Sequence, residues 1–179
     1  MLSRRQFLVL GAAATVATTL VASPVEAALR NKVERSVSLH NLHTGESLRT
    51  VYWAEGRYQA SALRQLNRLL RDHYSGDIRS MDPRVIDLLC ALRHRFGGKQ
   101  PFQIISGYRS PSTNAMLAST TDGVAQHSLH MEGKALDISL EGTSVRQLGR
   151  AARSLRMGGV GQYPGSNFVH VDVGQVRYW

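Results

Sequence analysis

The sequence predicts an α+β fold, an antiparallel sheet with helices packed on one side. Three observations carry this reading. Segments that alternate apolar and polar residues lie towards both ends of the chain, at 35–42, 47–53, 134–140 and 167–173, and a period of two marks a strand. Residues 61–97 and 144–155 instead carry apolar residues at helical spacing. The two kinds of segment are segregated rather than strictly alternating, which favours an antiparallel sheet over β-α-β winding.

Ahead of that domain, Ser3-Arg4-Arg5-Gln6-Phe7-Leu8 presents two adjacent arginines, and residues 8–22 form an apolar run. Val25-Glu26-Ala27 then offers a small-x-small cleavage site. This is the three-part pattern of an export signal, and the paired arginines make it the twin-arginine kind. Residues 1–27 are expected to be removed, leaving one domain over 28–179. The apolar run is too short and too rich in Ala and Thr for a stable span. The expected location is the periplasm, reached folded through the twin-arginine export machinery.

Within the domain, the alternating runs 35–42 and 47–53 flank His43-Thr44-Gly45-Glu46 and read as a β-hairpin. Leu63, Leu66, Leu69 and Leu70 repeat at helical spacing, with Ser61 as the expected cap. The next helix is marked by Asp82 as cap, Pro83 in its first turn and Gly97 past its end. Arg93, His94 and Arg95 fill its last turn, where cations suit the helix dipole. Residues 102–106 read as a short strand, 113–118 as one or two helical turns, 119–126 as irregular, 134–140 as a strand, 144–155 as a helix and 167–173 as a final strand. Gly158-Gly159-Val160-Gly161 lacks the lysine of a phosphate loop and reads as close backbone packing or a cleft wall.

The formal charge is +9, and loss of Arg4, Arg5 and Glu26 with the signal leaves the balance strongly basic. A basic surface suits any anionic polymer. The cations are scattered, with no block of the kind that forms a nucleic-acid arm, so no nucleic-acid partner is expected. Cys90 is the single cysteine; it excludes an internal disulfide and a thiolate-built metal site, and reads as a small buried hydrophobe.

His130, Asp137 and His170 carry the chemistry. Alternation puts Ala135, Asp137 and Ser139 on one face of their strand, with Leu136, Ile138 and Leu140 facing the core. In the last strand Phe168, His170 and Asp172 share a face, opposite Val169, Val171 and Val173. If the two strands pair, Asp137 and His170 point into one cleft. His130 precedes a turn at Gly133 that can bring it back over Asp137. Two imidazoles and a carboxylate form a normal ligand set for one catalytic zinc, with water in the fourth place. His40 and His43 flank the hairpin turn and read as structural or solvent-facing.

Ser128-Leu129-His130-Met131-Glu132-Gly133-Lys134-Ala135-Leu136-Asp137 resembles the S-x-H-x-x-G-x-A-x-D signature of zinc D-Ala-D-Ala peptidases, which share the lysostaphin and hedgehog-type fold. Asn41-Leu42-His43-Thr44-Gly45-Glu46, Ile105-Ser106-Gly107-Tyr108-Arg109-Ser110 and Asn167-Phe168-Val169-His170-Val171-Asp172 are similar to the YcbK-like branch of murein endopeptidases. The resemblance runs from about residue 28 to Trp179. It implies His130, Asp137 and His170 as zinc ligands, Arg109 as the holder of a substrate carboxylate or developing oxyanion, and Ser128 as a substrate contact. It also implies peptidoglycan stem peptides as substrate, notably links between two diaminopimelate residues. Asn167 stands where the wider family places an acidic residue, and Phe168 where the hedgehog-type pattern has a second histidine. The candidate bases are therefore Asp172, on the face of His170, and His127, three residues before His130. Asp172 is equally placed to orient a zinc histidine. The alternatives are a D-Ala-D-Ala carboxypeptidase, or a cell-wall binding module that kept the fold and lost catalysis.

Overall fold

The computed structural model describes residues 33–97, 100–121 and 124–179. The expected signal at 1–27 and the first residues after it lie outside these. The elements in chain order are β1 (Glu34–Asn41), β2 (Ser47–Ala54), β3 (Arg57–Tyr58), α1 (Ala60–Leu69), α2 (Pro83–Phe96), β4 (Phe102–Ser106), α3 (Pro111–Thr120), a 3-10 turn (Leu129–Glu132), β5 (Ala135–Leu140), α4 (Val145–Leu155), β6 (Gly159–Tyr163), a second 3-10 turn (Pro164–Ser166), β7 (Phe168–Asp172) and β8 (Arg177–Tyr178). Among the described residues, no helix is long and apolar enough to cross a membrane.

The eight strands form one sheet in the order β3-β2-β1-β4-β5-β7-β6-β8. The pairings are antiparallel except β1 with β4 and β6 with β8, which are parallel. The architecture is the expected α+β type, with two parallel seams that the alternation pattern did not reveal. One face of the sheet, with Leu39, Ile104, Leu136, Ile138, Val169 and Val171, forms a single core with α1, α2 and α4. Helix α3 departs from the expected one-sided packing: Thr113 and Leu117 line the cleft that opens on the other face of β5 and β7.

Local chemistry explains most element ends. The Asp82 side chain accepts the Arg84 amide at the start of α2, and Gly97 closes it at φ 65°, in the left-handed region that glycine adopts without strain. Ser144 and Gln147 form a reciprocal capping box on α4. Ser61 does not cap α1. That helix starts earlier, at Ala60, because Gln59 is fixed by its amide on the Tyr52 carbonyl and already accepts the Leu63 amide. Helix α3 runs longer than its sequence suggested, since Ser110 caps it through the Thr113 amide.

Candidate metal centre

Strands β5 and β7 pair so that Asp137 lies directly opposite His170 and Ala135 opposite Asp172. The alternation read from the sequence thus brings the Asp137 carboxylate and the His170 ring together on the cleft face. His130 arrives from a third element. Ser128 caps the 3-10 turn by accepting the His130 amide at 3.3 Å, and Gly133 reverses the chain at φ 68°. A Cβ on Gly133 would lie 2.6 Å from the Ser80 carbonyl oxygen, so conformation and space both demand glycine there.

Three atoms converge. His130 Nε2 lies 3.2 Å from Asp137 Oδ1 and 3.2 Å from His170 Nδ1, and His170 Nδ1 lies 2.9 Å from Asp137 Oδ1. The outer nitrogens decide the tautomers. His130 Nδ1 is 2.7 Å from the Gly107 carbonyl, which can only accept, so this nitrogen donates. His170 Nε2 is 3.1 Å from the Asp172 carboxylate, and it too donates. Both inward nitrogens therefore present lone pairs, and they meet a carboxylate oxygen. With both rings neutral, three acceptors face one another and call for a cation between them, a metal ion or a proton on one ring.

Zinc fits that triangle. With bonds of about 2.0–2.2 Å, ligand atoms around a tetrahedral zinc stand about 3.3 Å apart, close to the separations seen. Among the described residues these three are the group able to hold a metal. His130, Asp137 and His170 are 1%, 3% and 9% exposed, so the cluster opens to solvent on the His170 side.

Electrostatics follow the same contacts. Burial raises the Asp137 pKa, but His130, His170 and Arg109 outweigh it and hold the carboxyl well below the usual range. Burial pushes the His170 ring down, while hydrogen bonds to Asp137 and Asp172 push it up and prevail. For His130 burial prevails, and its pKa is lowered.

Asp172 lies behind His170 rather than in the cleft lining. It is fully buried, and its oxygens accept from the Gly159 and Gly174 amides, from His170 and from both terminal amines of Arg177. Burial raises its pKa, but this set of donors outweighs it and the carboxyl lies below the usual range. Asp172 contacts His170 through Nε2, the ring nitrogen that points away from Asp137. The Gly158-Gly159 pair makes room for it, since a Cβ on either would collide with Asp172.

Arg109 sits beside the cluster. Its Nε donates to Ser106 Oγ at 2.8 Å, and a terminal amine contacts the outer oxygen of Asp137. The guanidinium is therefore anchored on the carboxylate while it lines the cleft. Ser128 lines the cleft as well, and His127 lines it exposed to solvent. Asn167 adopts φ 55° at the end of the second 3-10 turn, a left-handed conformation that asparagine tolerates.

The sequence assigns no site role to several neighbours. Arg177 completes the shell of Asp172, and Gly107 offers a backbone oxygen because its lack of a Cβ lets the chain run against Leu70. His43 stacks on His73 with ring centroids 3.8 Å apart; it is solvent-facing, as its place beside the hairpin turn suggests, and both rings also line the cleft. The cleft encloses about 520 Å³.

An α+β domain with a cleft centred on two histidines and an aspartate defines a candidate single-metal site of the hydrolase type. The comparisons narrow the class. Residues 30–179 match the family described as Peptidoglycan L,D-endopeptidase MepK, and the chain belongs to that family. It is 41% identical over 177 residues to the Peptidoglycan L,D-endopeptidase MepK of Escherichia coli (strain K12), covering 99% of this chain and 97% of that one. It is 35% identical over 178 residues to the Probable peptidoglycan L,D-endopeptidase MepK of Haemophilus influenzae, covering 99% and 95%.

Proposed function

We propose that this chain is a zinc-dependent murein endopeptidase that hydrolyses peptide cross-links of peptidoglycan, foremost those between two diaminopimelate residues. The observation that carries the reading is the convergence of three lone pairs from His130, Asp137 and His170 at one end of a cleft. Membership of a family described as peptidoglycan L,D-endopeptidases supports a stem-peptide substrate for that site. The paired arginines Arg4 and Arg5 support a periplasmic site of action, with residues 1–27 as the export signal.

His130, Asp137 and His170 would hold the metal. When bound there, zinc supplies Lewis acidity, which polarises a carbonyl and acidifies water. The protein's own groups do the rest. Gly107 and Asp172 accept the outer N–H groups and so turn the inward nitrogens of the two imidazoles towards the metal position. Arg109, tethered to Asp137, presents its guanidinium to a substrate carboxylate or to charge developing on the scissile oxygen. His127, exposed on the wall, takes a proton from water and returns it to the leaving amine. Ser128 holds the turn that carries His130 and faces the substrate. A rim that includes His43, His73, Arg109 and Arg177 suits a peptide rich in carboxylates.

Mass spectrometry of muropeptides tests the reading, using purified murein incubated with the zinc-loaded chain from residue 28 onward. Loss of diaminopimelate-linked dimers with a matching gain in monomers is expected. Release of free D-Ala instead would identify a carboxypeptidase. Murein binding without any new product would identify a binding module.

A further inference from the structure

The cleft lining mixes two chemistries. The lining includes a stacked pair, His43 on His73, and a linked aromatic group of Tyr163, Phe168 and Trp179. We propose that Trp179 is a substrate-binding residue whose indole forms the wall beside His170, against which the apolar arm of a cross-linked stem peptide packs. The proposal rests on the cell-wall peptidase reading and deepens it.

Trp179 is fixed from several directions and still open. Its amide donates to the Val160 carbonyl at 3.2 Å, and its own carbonyl accepts from the Gln162 amide at 3.0 Å. The indole Nε1 donates to the Tyr163 hydroxyl at 2.8 Å. Tyr163 in turn stacks on Phe168, with centroids 4.6 Å apart. The Arg177 guanidinium stands 5.0 Å from the indole centroid. Beneath the ring is Gly161, where a Cβ would collide with the indole. Gly161 also lies opposite His170 in the β6–β7 register, so the missing side chain lets the indole come within 5.4 Å of the His170 ring, centroid to centroid. Despite these anchors, Trp179 is 46% exposed. A core tryptophan would hide its face. This one is immobilised where it lines the cleft, which lowers the entropy lost when a ligand packs on it.

The ligand chemistry matches. Diaminopimelate is a straight methylene chain with a carboxylate and an amino group at each end. The methylenes need an apolar wall, and the carboxylates need cations. The cleft lining holds both, the indole of Trp179 and the guanidinium groups of Arg109 and Arg177.

Three variants test the wall, with zinc content, kcat and KM measured on purified dimeric muropeptides. Trp179→Ala should raise KM about tenfold at unchanged zinc content and with kcat little altered, the signature of lost substrate binding. Trp179→Phe keeps a flat apolar ring and should stay within about threefold of the parent. Gly161→Ala should displace the indole and reproduce the KM of Trp179→Ala. An unchanged KM in Trp179→Ala, or loss of zinc from it, would overturn the proposal. A second readout does not depend on turnover. The chain has two tryptophans, so the emission of the parent minus that of Trp179→Phe reports Trp179 alone. Dimeric muropeptides should shift that emission to the blue and shield it from acrylamide. If the parent binds them without this change, the wall is refuted even where the peptidase reading holds. If the parent shows the shift but cuts nothing, the peptidase reading fails and the wall stands.

Discussion

Two regions of the sheet bury an aspartate among donors, and they use it in opposite ways. Under the β1–β2 hairpin, Asp87 of α2 accepts from Arg35 at 3.0 Å and Tyr52 at 2.8 Å on one oxygen, and from Tyr58 at 2.6 Å on the other. Every contact is a donor meeting an acceptor, and the carboxylate is closed off. In the β5–β7 region, Asp137 turns one oxygen to Arg109 and the other to two ring nitrogens whose protons point elsewhere. The first arrangement is complete and holds the fold together. The second is complete only with a cation. Burial and hydrogen bonding of a carboxylate do not by themselves mark a site; the direction in which the protons point does.

The sharpest way to break this comparison is to remove one acceptor from the open cluster. His170→Ala should abolish bound zinc and muropeptide cleavage while leaving the circular dichroism spectrum unchanged. Zinc analysis by atomic absorption checks it, and full zinc occupancy would remove His170 from the ligand set.

A milder change reaches the cluster through its support. Asp172→Asn should weaken zinc affinity by about 10–100-fold, with activity returning as zinc is added, since a partner of a ligating imidazole is altered. A chelator-competition titration measures this. Intact affinity with lost turnover would instead make Asp172 the base.

Acid should act on the same ligands. The raised pKa of His170 keeps its proton on at pH values where an ordinary histidine has lost it. Zinc must displace that proton. Affinity should therefore fall as pH drops, beginning above the ordinary imidazole value of about 6.5 and approaching about tenfold per unit for one displaced proton. Zinc titrations from pH 8 to 5 would show the slope; a flat profile contradicts histidine ligation.

The smallest effect on the site is expected from the closed cluster. Asp87→Asn should lower folding stability by about 1–3 kcal/mol, because hydrogen bonds to a buried charged acceptor are weakened. Zinc affinity should not move. Urea unfolding beside a zinc titration would separate the two.

Much of the site could be read from the chain because its residues obey local rules. Asp137 and His170 sit at alternating positions in strands whose other faces are fully apolar, so their side of the sheet follows from a period of two. Asp82 and Gly97 announce their helix ends in the same local way. What the sequence hid is non-local. Strand β6 shows no alternation because Gly158 just before it and Gly159 and Gly161 within it are dictated by what lies against them: Asp172 at Gly158 and Gly159, and the indole at Gly161. The parallel pairing of β1 with β4 joins segments about sixty residues apart and leaves no mark in either. Arg177, His73 and Trp179 stand in loops or short edges, where neither period applies.

The register of Asp137 opposite His170 has a mechanical consequence. These residues are 33 positions apart in sequence, and His130 adds a third segment. A metal held among them would tie β5, β7 and the 3-10 turn together in a chain whose single cysteine permits no internal disulfide. Zinc would then serve as a reversible staple as well as a reagent. Its occupancy would raise the melting temperature by mass action and slow amide exchange along the β5–β7 ladder. A chelator would loosen the catalytic strands before it touched the hairpin at the far side of the sheet.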